Sequence, residues 1–144
     1  MPQNLEIKAI IQDAEHLAFM KAAARRLSGS EASVLNQRDI YFNSEKSRLK
    51  LRIENERGFL IAYERPNTMG PKKSCYKISP VPDPVTMEEV LTLSNGIKGE
   101  VKKVRELSIL ELDGLTVRVH IDRVELLGDF LEFEVTFLCQ PSFA

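Results

Sequence analysis

Tryptophan is absent from the 144 residues, and cysteine occurs only twice, at Cys75 and Cys139. The two cysteines lie far apart and lack the spacing of a metal site, so we expect two free thiols in a reducing compartment. No apolar run approaches the length that spans a membrane, and the first residues lack the basic start and apolar stretch of a signal peptide. These absences predict a cytoplasmic protein without a zinc site or a membrane segment.

Net charge is also nearly absent, because 20 basic residues are balanced by 21 acidic ones. A general binder of nucleic acid or membrane surfaces shows a basic excess, so neither partner is expected. An RNA-binding barrel would further need aromatic residues between its basic ones, and the basic strands described below lack them. With 43% apolar residues, the chain can fill the core of one domain, residues 1–144.

Two segments have the spacing and end signals of helices. The first begins after Asp13, a good N-cap, and stops at Ser28-Gly29. The second begins after Asp83 with Pro84 at its first position and stops at Asn95-Gly96. Their predicted inner faces are Leu17, Met20, Ala24 and Leu27 in the first helix, and Met87, Val90, Leu91 and Ser94 in the second. We interpret both helices as packing elements.

The remaining residues alternate between apolar and polar with a period of two, which is typical of β-strands. Turn signals rich in Asn, Asp, Gly and Pro separate most of these segments. We predict eight strands, near residues 4–12, 34–43, 47–54, 58–65, 73–79, 101–110, 115–125 and 129–137. Eight strands with short turns and only two helices predict an α+β fold, an antiparallel meander that is closed or nearly closed into a β-tunnel.

Three of these strands carry charge of one sign on their polar face: Arg48, Lys50 and Arg52; Lys103 and Arg105; Glu132 and Glu134. For one strand alone, a solvated outer face with cross-strand ion pairs explains the pattern better than a polar interior does. Taken together, the faces keep their signs apart, whereas solvated faces usually intersperse both. If the sheet closes, they line a polar interior. A polyanion bound with a divalent cation satisfies such an interior, because Arg suits phosphate and carboxylates suit Mg²⁺ or Mn²⁺.

Six segments resemble, in order, the CYTH superfamily, which joins class IV adenylate cyclases with thiamine triphosphatases and inorganic triphosphatases. They cover nearly the whole chain and resemble the cyclase-like branch most closely: Asn4-Leu5-Glu6-Ile7-Lys8-Ala9, Arg48-Leu49-Lys50-Leu51-Arg52, Tyr63-Glu64-Arg65-Pro66, Lys102-Lys103-Val104-Arg105, Arg118-Val119-His120-Ile121-Asp122 and Leu127-Gly128-Asp129-Phe130-Leu131-Glu132-Phe133-Glu134-Val135. The resemblance implies an eight-stranded antiparallel tunnel of the triphosphate tunnel type.

By position, the resemblance also implies roles for individual residues. The implied ligands of Mg²⁺ or Mn²⁺ are Glu6, Glu132 and Glu134. The implied phosphate-binding residues are Lys8, Arg48, Lys50, Arg52, Lys103, Arg105 and Arg118. Asp122 and Lys8 are the implied catalytic residues. Asp122 resembles the family's acidic residue near the metal, which orients a ligand or helps in proton transfer.

Two positions depart from the family pattern. The hallmark Glu-x-Glu-x-Lys begins here with Asn4, whose amide oxygen can coordinate a hard cation but brings no charge. We therefore expect weaker metal binding, or one metal site in place of two. Where many members have Lys-Gly-Pro, this chain has Glu64-Arg65-Pro66, and a period of two sends Arg65 to the face opposite that lysine. The missing cation could come instead from Lys72, Lys73 or Lys77.

Other polar residues keep alternative interpretations. His120 is either a base or a hydrogen-bonded structural histidine. Gln37 and Asp39 resemble a recurrent family segment and are expected in a supporting role. Three tyrosines either stack on a nucleobase or, by preference, fill the barrel wall: Tyr41, Tyr63 and Tyr76.

The resemblance implies a metal-dependent enzyme whose small-molecule partner is a triphosphate: ATP, thiamine triphosphate or tripolyphosphate. It is either a class IV adenylate cyclase, which forms cyclic AMP and pyrophosphate, or a triphosphatase, and both activities use the same charges. A binding module for nucleotide or polyphosphate, with catalysis weakened by Asn4, is the alternative. A homodimer is left open.

Overall fold

The computed structural model describes residues 2–67 and 69–138. Its elements are β1 (Pro2–Ile11), α1 (Ala14–Ser28), β2 (Ser33–Phe42), β3 (Arg48–Glu54), β4 (Arg57–Glu64), β5 (Lys72–Val81), α2 (Pro84–Asn95), β6 (Ile97–Leu112), β7 (Leu115–Val124) and β8 (Gly128–Leu138). Every predicted strand and both predicted helices are present, with β5 and β6 longer than expected.

Cys75 is a half-buried free thiol, and Cys139 lies outside the described residues. Within the described residues, no helix has the length and apolarity that crossing a membrane requires.

The eight strands pair antiparallel throughout and close into a barrel in the order β1-β5-β4-β3-β2-β6-β7-β8. This confirms the predicted α+β class, the closed tunnel and the two packing helices. The prediction that the strands form one continuous meander was wrong. Strands β2 to β5 form one meander and β6 to β8 another, and β1 closes the barrel by pairing with both β5 and β8. The order changes where a helix, and not a hairpin, joins consecutive strands.

Both helices begin and end where the sequence predicts. The Asp13 carboxylate accepts a hydrogen bond at 2.7 Å from an amide in the first turn of α1, and Gly29 ends that helix in the left-handed conformation with a φ of 72°. The Asp83 carboxylate accepts an amide of the first turn of α2 at 3.1 Å, and Pro84 is the first residue of the helix.

The apolar faces of the strands point out of the barrel, where the two helices cover part of them. Helix α1 completes one cluster, formed by Ile11, Ala24, Leu110, Val119 and Ile121 with Leu17 and Met20. Helix α2 covers another, formed by Ile40, Phe42, Leu51 and Val81 with Met87 and Leu91. The polar residues that alternate with these strand residues therefore point into the barrel.

The predicted inner faces of the helices were too wide. Leu27 is 63% exposed and Val90 is 53% exposed, and Ser94 is exposed as well. A helix lying on the convex outside of a barrel contacts it along a narrow stripe, so that the flanking positions remain in solvent. That stripe is Leu17, Met20 and Ala24 in α1, and Met87 and Leu91 in α2.

Gly58 on β4 is predicted to be intolerant of a side chain. A Cβ atom there would lie 2.8 Å from Cβ of Pro84 and 3.0 Å from the carbonyl oxygen of Val81, because the start of α2 rests on this strand. We expect Gly58→Ala to lower the free energy of unfolding by about 1–3 kcal/mol, measured by urea unfolding. Gly99→Ala is the matched control, since a Cβ there meets nothing within 4 Å. Equal stability of the two variants would contradict the close approach.

Candidate active site in the barrel interior

The interior of the barrel holds a cavity of about 940 Å³ with many charged side chains in its wall. All the predicted metal ligands and phosphate-binding residues line it: Glu6, Lys8, Arg48, Lys50, Arg52, Lys103, Arg105, Arg118, Glu132 and Glu134. Asp122, the predicted catalytic acid, lies behind this lining and is completely buried. Closure of the sheet gathers these residues, because it turns the polar faces of separate strands toward one volume.

Two buried aspartates hold two of the arginines in place. Asp122 accepts hydrogen bonds from Nε and Nη2 of Arg105, both at 2.8 Å, and Asp39 accepts the same pair from Arg52, both at 2.8 Å. Each aspartate lies directly across the ladder from its arginine. A two-point contact fixes the plane of the guanidinium and leaves its remaining N–H groups for a ligand.

A lysine accompanies each of these pairs, two residues before the arginine. The Nζ atom of Lys50 lies 3.3 Å from Asp39, and that of Lys103 lies 3.7 Å from Asp122. Burial and the neighbouring arginine lower the pKa of each lysine to about 8, although the aspartate raises it. The two Lys-x-Arg sequences thus form equivalent cationic groups whose charge is incompletely compensated, which favours an anionic ligand.

The aspartates themselves stay ionised. Burial raises the pKa of Asp122, but Arg105 and Lys103 lower it by more than burial raises it. The pKa therefore lies below its ordinary value. The same balance, with Arg52 and Lys50 as the opposing charges, holds the pKa of Asp39 below its ordinary value. The two roles expected for Asp122 are to orient a ligand or to help in proton transfer. Its contacts with Arg105 and Lys103 suit the first better, because they orient the cations that a ligand would meet; its role stays a prediction.

An acidic cluster occupies β7 and β8. His120, Glu132 and Glu134 each offer one ligand atom, and these atoms lie within 4.8 Å of one another. Glu132 is 2.8 Å from Nδ1 of His120, 3.5 Å from Nζ of Lys8 and 3.6 Å from Nη2 of Arg105. Burial raises the pKa of Glu132. The hydrogen bond with His120 and the charges of Arg105 and Lys8 have the larger, opposite effect, so that the pKa lies below its ordinary value. Glu132 is therefore ionised and fixed in place.

The donor atoms around this cluster fit a divalent ion. Asn4 lines the same cavity, and its Oδ1 atom is buried without a hydrogen-bond partner in the described part of the chain. Leaving a buried acceptor unsatisfied costs about 1–3 kcal/mol, which a hard cation or its bound water would relieve. Carboxylate and amide oxygens are hard ligands that suit Mg²⁺ and Mn²⁺.

Glu6 is placed differently from the other two predicted metal ligands. It lies directly opposite Glu134 in the β1–β8 ladder, yet its Oε1 atom is 2.7 Å from Nη1 of Arg65. Among the described residues, the group that could hold a metal ion does not include Glu6. The ion pair with Arg65 competes with metal coordination, and the role of Glu6 stays a prediction.

Arg65 is the cavity residue that the sequence interpretation left in doubt. It lines the cavity, whereas the preceding Glu64 is exposed, so the two residues do lie on opposite faces as the period of two predicts. Alternation from Ile61 and Tyr63, which also line the cavity, was the signal that could have placed Arg65 inside. The alternative lysines at positions 72, 73 and 77 are not part of the lining.

The tyrosines belong to the cavity wall. Lys50 Nζ lies 5.7 Å from the ring centre of Tyr41 and 5.4 Å from that of Tyr63, within the range of cation–π interactions. Arg48 and Arg65 lie 6.0 Å from the Tyr63 ring, and Tyr76 lines the cavity nearby. These rings position cations. Asp39, expected only in a supporting role, does the same for Arg52 and Lys50.

Removing one member of the Arg105–Asp122 pair is expected to destabilise the protein strongly. Asp122→Ala leaves Arg105 buried without its carboxylate, and we expect a loss of about 3–5 kcal/mol in the free energy of unfolding. The double variant Asp122→Leu/Arg105→Met removes both charges and should cost less than Asp122→Ala alone. Urea unfolding measures both. A double variant less stable than Asp122→Ala would contradict a coupled pair.

Comparison with known proteins agrees with this architecture. The family model described as CYTH domain matches residues 2–136. A search of curated proteins found no match. Among solved structures, the PH1012 protein from Pyrococcus horikoshii OT3 aligns with a TM-score of 0.73 and 23% identity, over 96% of this chain and 80% of that chain.

Two further structures show how widely the fold is used. HpAC1 from Hippeastrum, proposed as an adenylyl cyclase and found to have a dominant triphosphatase activity, aligns with a TM-score of 0.67 and 16% identity, over 94% of this chain and 80% of that chain. A chain of the Schizosaccharomyces pombe Mediator head module aligns with a TM-score of 0.62 and 10% identity, over 99% and 85%. Such low identities show the fold alone. The family match over nearly the whole chain shows more: this protein belongs to the CYTH family of triphosphate-binding enzymes.

Proposed function

We propose that this protein is a metal-dependent triphosphatase that binds its substrate inside the barrel. The observation that carries the proposal is the pair of equivalent cationic groups, Lys50 with Arg52 and Lys103 with Arg105. They face the same cavity as Glu132 and Glu134 of the acidic cluster. A linear triphosphate is a long anion of high charge density. It can contact both cationic groups while one of its phosphates reaches the acidic cluster.

Binding is assigned to the cations of the cavity wall. Arg52 and Arg105 present guanidinium groups already oriented by Asp39 and Asp122, so little side-chain freedom is lost when they bind phosphate oxygens. Arg48 and Arg118 line the cavity as further cations. The buried aspartates compensate part of the positive charge in the free protein, and the substrate completes the compensation.

The metal-binding role is assigned to Glu132 and Glu134, with His120 as a further donor. A bound Mg²⁺ or Mn²⁺ supplies Lewis-acid neutralisation of the charge on phosphate oxygens. His120 holds Glu132 in orientation through the 2.8 Å contact of its Nδ1 atom. Lys8 lies beside Glu132 with 48% of its side chain exposed, and it is placed to bind a phosphate oxygen next to the cluster.

We prefer hydrolysis to cyclisation because cations lie against two of the aromatic rings in the cavity wall. Tyr41 and Tyr63 lie against Lys50, and Tyr63 lies also against Arg48 and Arg65, so these rings serve cations in place of a nucleobase. The interior thus offers cations from several strands for recognition of a phosphate chain. Adenylate cyclase activity and binding without turnover are the competing outcomes of the assay.

The assay incubates the protein with ATP, thiamine triphosphate and tripolyphosphate, each with Mg²⁺ or Mn²⁺, and resolves the products. We expect orthophosphate release, with tripolyphosphate turned over at least as fast as the organic triphosphates. Cyclic AMP with pyrophosphate would identify a cyclase and overturn the proposal. Tight binding without turnover would identify a binding module, consistent with the missing carboxylate at Asn4.

Glu132→Gln tests the acidic cluster. The substitution keeps the shape of the side chain and removes its charge, and we expect kcat to fall by about 100-fold or more because an electrostatic contact at the reacting phosphate is lost. Glu125→Gln, at an exposed position outside this cavity, is the matched control and should retain full activity. Thermal unfolding checks that both variants remain folded. Retained activity in Glu132→Gln would remove Glu132 from the site.

The depressed pKa values of Lys50 and Lys103 predict proton uptake on binding. Both lysines have a pKa of about 8 in the free protein, and a bound polyanion favours their charged forms, so the affinity should fall as the pH rises above 8. At pH 8, both lysines are partly deprotonated, so that binding of tripolyphosphate in EDTA should take up protons at both of them. Calorimetry in buffers of different ionisation enthalpy measures the number of protons taken up. Lys103→Gln should reduce it by about half, and the absence of proton uptake would contradict the prediction.

A further inference from the structure

The contact between Glu6 and Arg65 is not used by the function proposed above. Glu6 and Glu134 are direct neighbours in the β1–β8 ladder, and two like charges in that relation repel one another. Arg65, 2.7 Å from Glu6, compensates this repulsion. Both side chains of the pair are shielded, at 17% exposed for Glu6 and 24% for Arg65. Arg65 therefore compensates the negative charge of Glu6 without a metal ion.

Arg65 retains hydrogen-bonding capacity beyond this contact. Its Nη1 atom donates to Glu6, while its Nε atom is buried and has no acceptor among the described residues. A buried N–H of a cation without an acceptor is costly, and a phosphate oxygen in the cavity would supply one. The ring of Tyr63 lies 6.0 Å from the guanidinium carbon and supports it. Arg65 thus has the features of a ligand-binding cation.

The same part of β1 is a poor place for a second metal ion. Asn4 contributes no charge, and a metal ion at Glu6 would first have to displace Arg65. Glu132 and Glu134, by contrast, share their cluster with His120. The carboxylates placed to bind a metal ion, Glu132 and Glu134, therefore lie on β8. The side chain that contacts Glu6 on β1 is a cation, Arg65, which suits an anionic ligand.

We propose that Arg65 binds an anionic oxygen of the triphosphate, and that Glu6 positions Arg65 instead of coordinating a metal ion. One divalent site, at His120, Glu132 and Glu134, then serves the whole tunnel. The proposal rests on the proposed function and adds to it a substrate-binding residue and the number of metal ions.

The first test measures Mn²⁺ binding directly, from the electron paramagnetic resonance signal of the free ion, without any triphosphate. We expect one site in the unaltered protein. Glu134→Gln should weaken it by about tenfold or more, since a charged ligand is lost. Glu6→Gln should leave the dissociation constant within about twofold, because Glu6 is not a ligand. The two variants are matched, as they change opposite members of one ladder pair.

The second test measures tripolyphosphate binding in EDTA by calorimetry. Arg65→Ala should weaken binding by about tenfold, the value of one hydrogen bond to a charged group, and Arg65→Lys should recover part of it. Arg57→Ala is the control, because Arg57 begins β4, the strand that Arg65 follows, but is exposed and not part of the cavity lining. Glu6→Gln should weaken binding by less than Arg65→Ala does, because Arg65 loses the ion pair that positions it but keeps its own charge. Thermal unfolding verifies the fold of each variant.

The outcomes separate this inference from the function on which it rests. Loss of Mn²⁺ affinity in Glu6→Gln equal to that in Glu134→Gln, or a second Mn²⁺ site in the unaltered protein, would overturn the role given to Glu6. Unchanged tripolyphosphate binding in Arg65→Ala would overturn the role given to Arg65. Either result would leave the triphosphatase proposal standing. Absence of tripolyphosphate binding by the unaltered protein, with and without Mn²⁺, would overturn both.

Discussion

The two-point contact of an arginine with a buried aspartate is the interaction on which the barrel interior depends. Arg105 with Asp122, and Arg52 with Asp39, place four full charges where a small protein ordinarily places apolar side chains. Removing charge from water is costly, and only near-ideal geometry offsets the cost. Because each aspartate lies directly across the ladder from its arginine, the strand register itself supplies that geometry. The wall of the tunnel is thus rigid before any ligand arrives.

An interior of charged groups means that the apolar contacts must lie elsewhere. Strands β2, β3, β6 and β7 turn their apolar faces outward, and α1 and α2 lie on them. The protein therefore has two small cores on the outside of its barrel. Helix packing stabilises the sheet from one side while the inner side is free to carry chemistry. The narrow stripes of contact along each helix follow from this convex support.

Much of this arrangement could be predicted from the sequence. Strict alternation gave the inward position of Arg48, Lys50 and Arg52, and the capping residues Asp13 and Asp83 gave the helix starts. The position of β1 between β5 and β8 could not be predicted, because strand order depends on long-range pairing that leaves no local pattern. For the same reason, the sequence did not reveal that Arg65 reaches Glu6, a contact between residues 59 positions apart. The roles of the individual site residues remain predictions.

The closure of the barrel by β1 has a kinetic consequence. Glu6 faces Glu134, and Lys8 faces Glu132, so the first strand of the chain meets the last. No hairpin brings them together, and the entropy of closing so long a loop delays their pairing. During synthesis, the helices and the meander from β2 to β5 can form while β1 still lacks one of its two neighbours. The acidic cluster is consequently complete only after β8 has been made, so that metal binding, and not anion binding, reports on this late step.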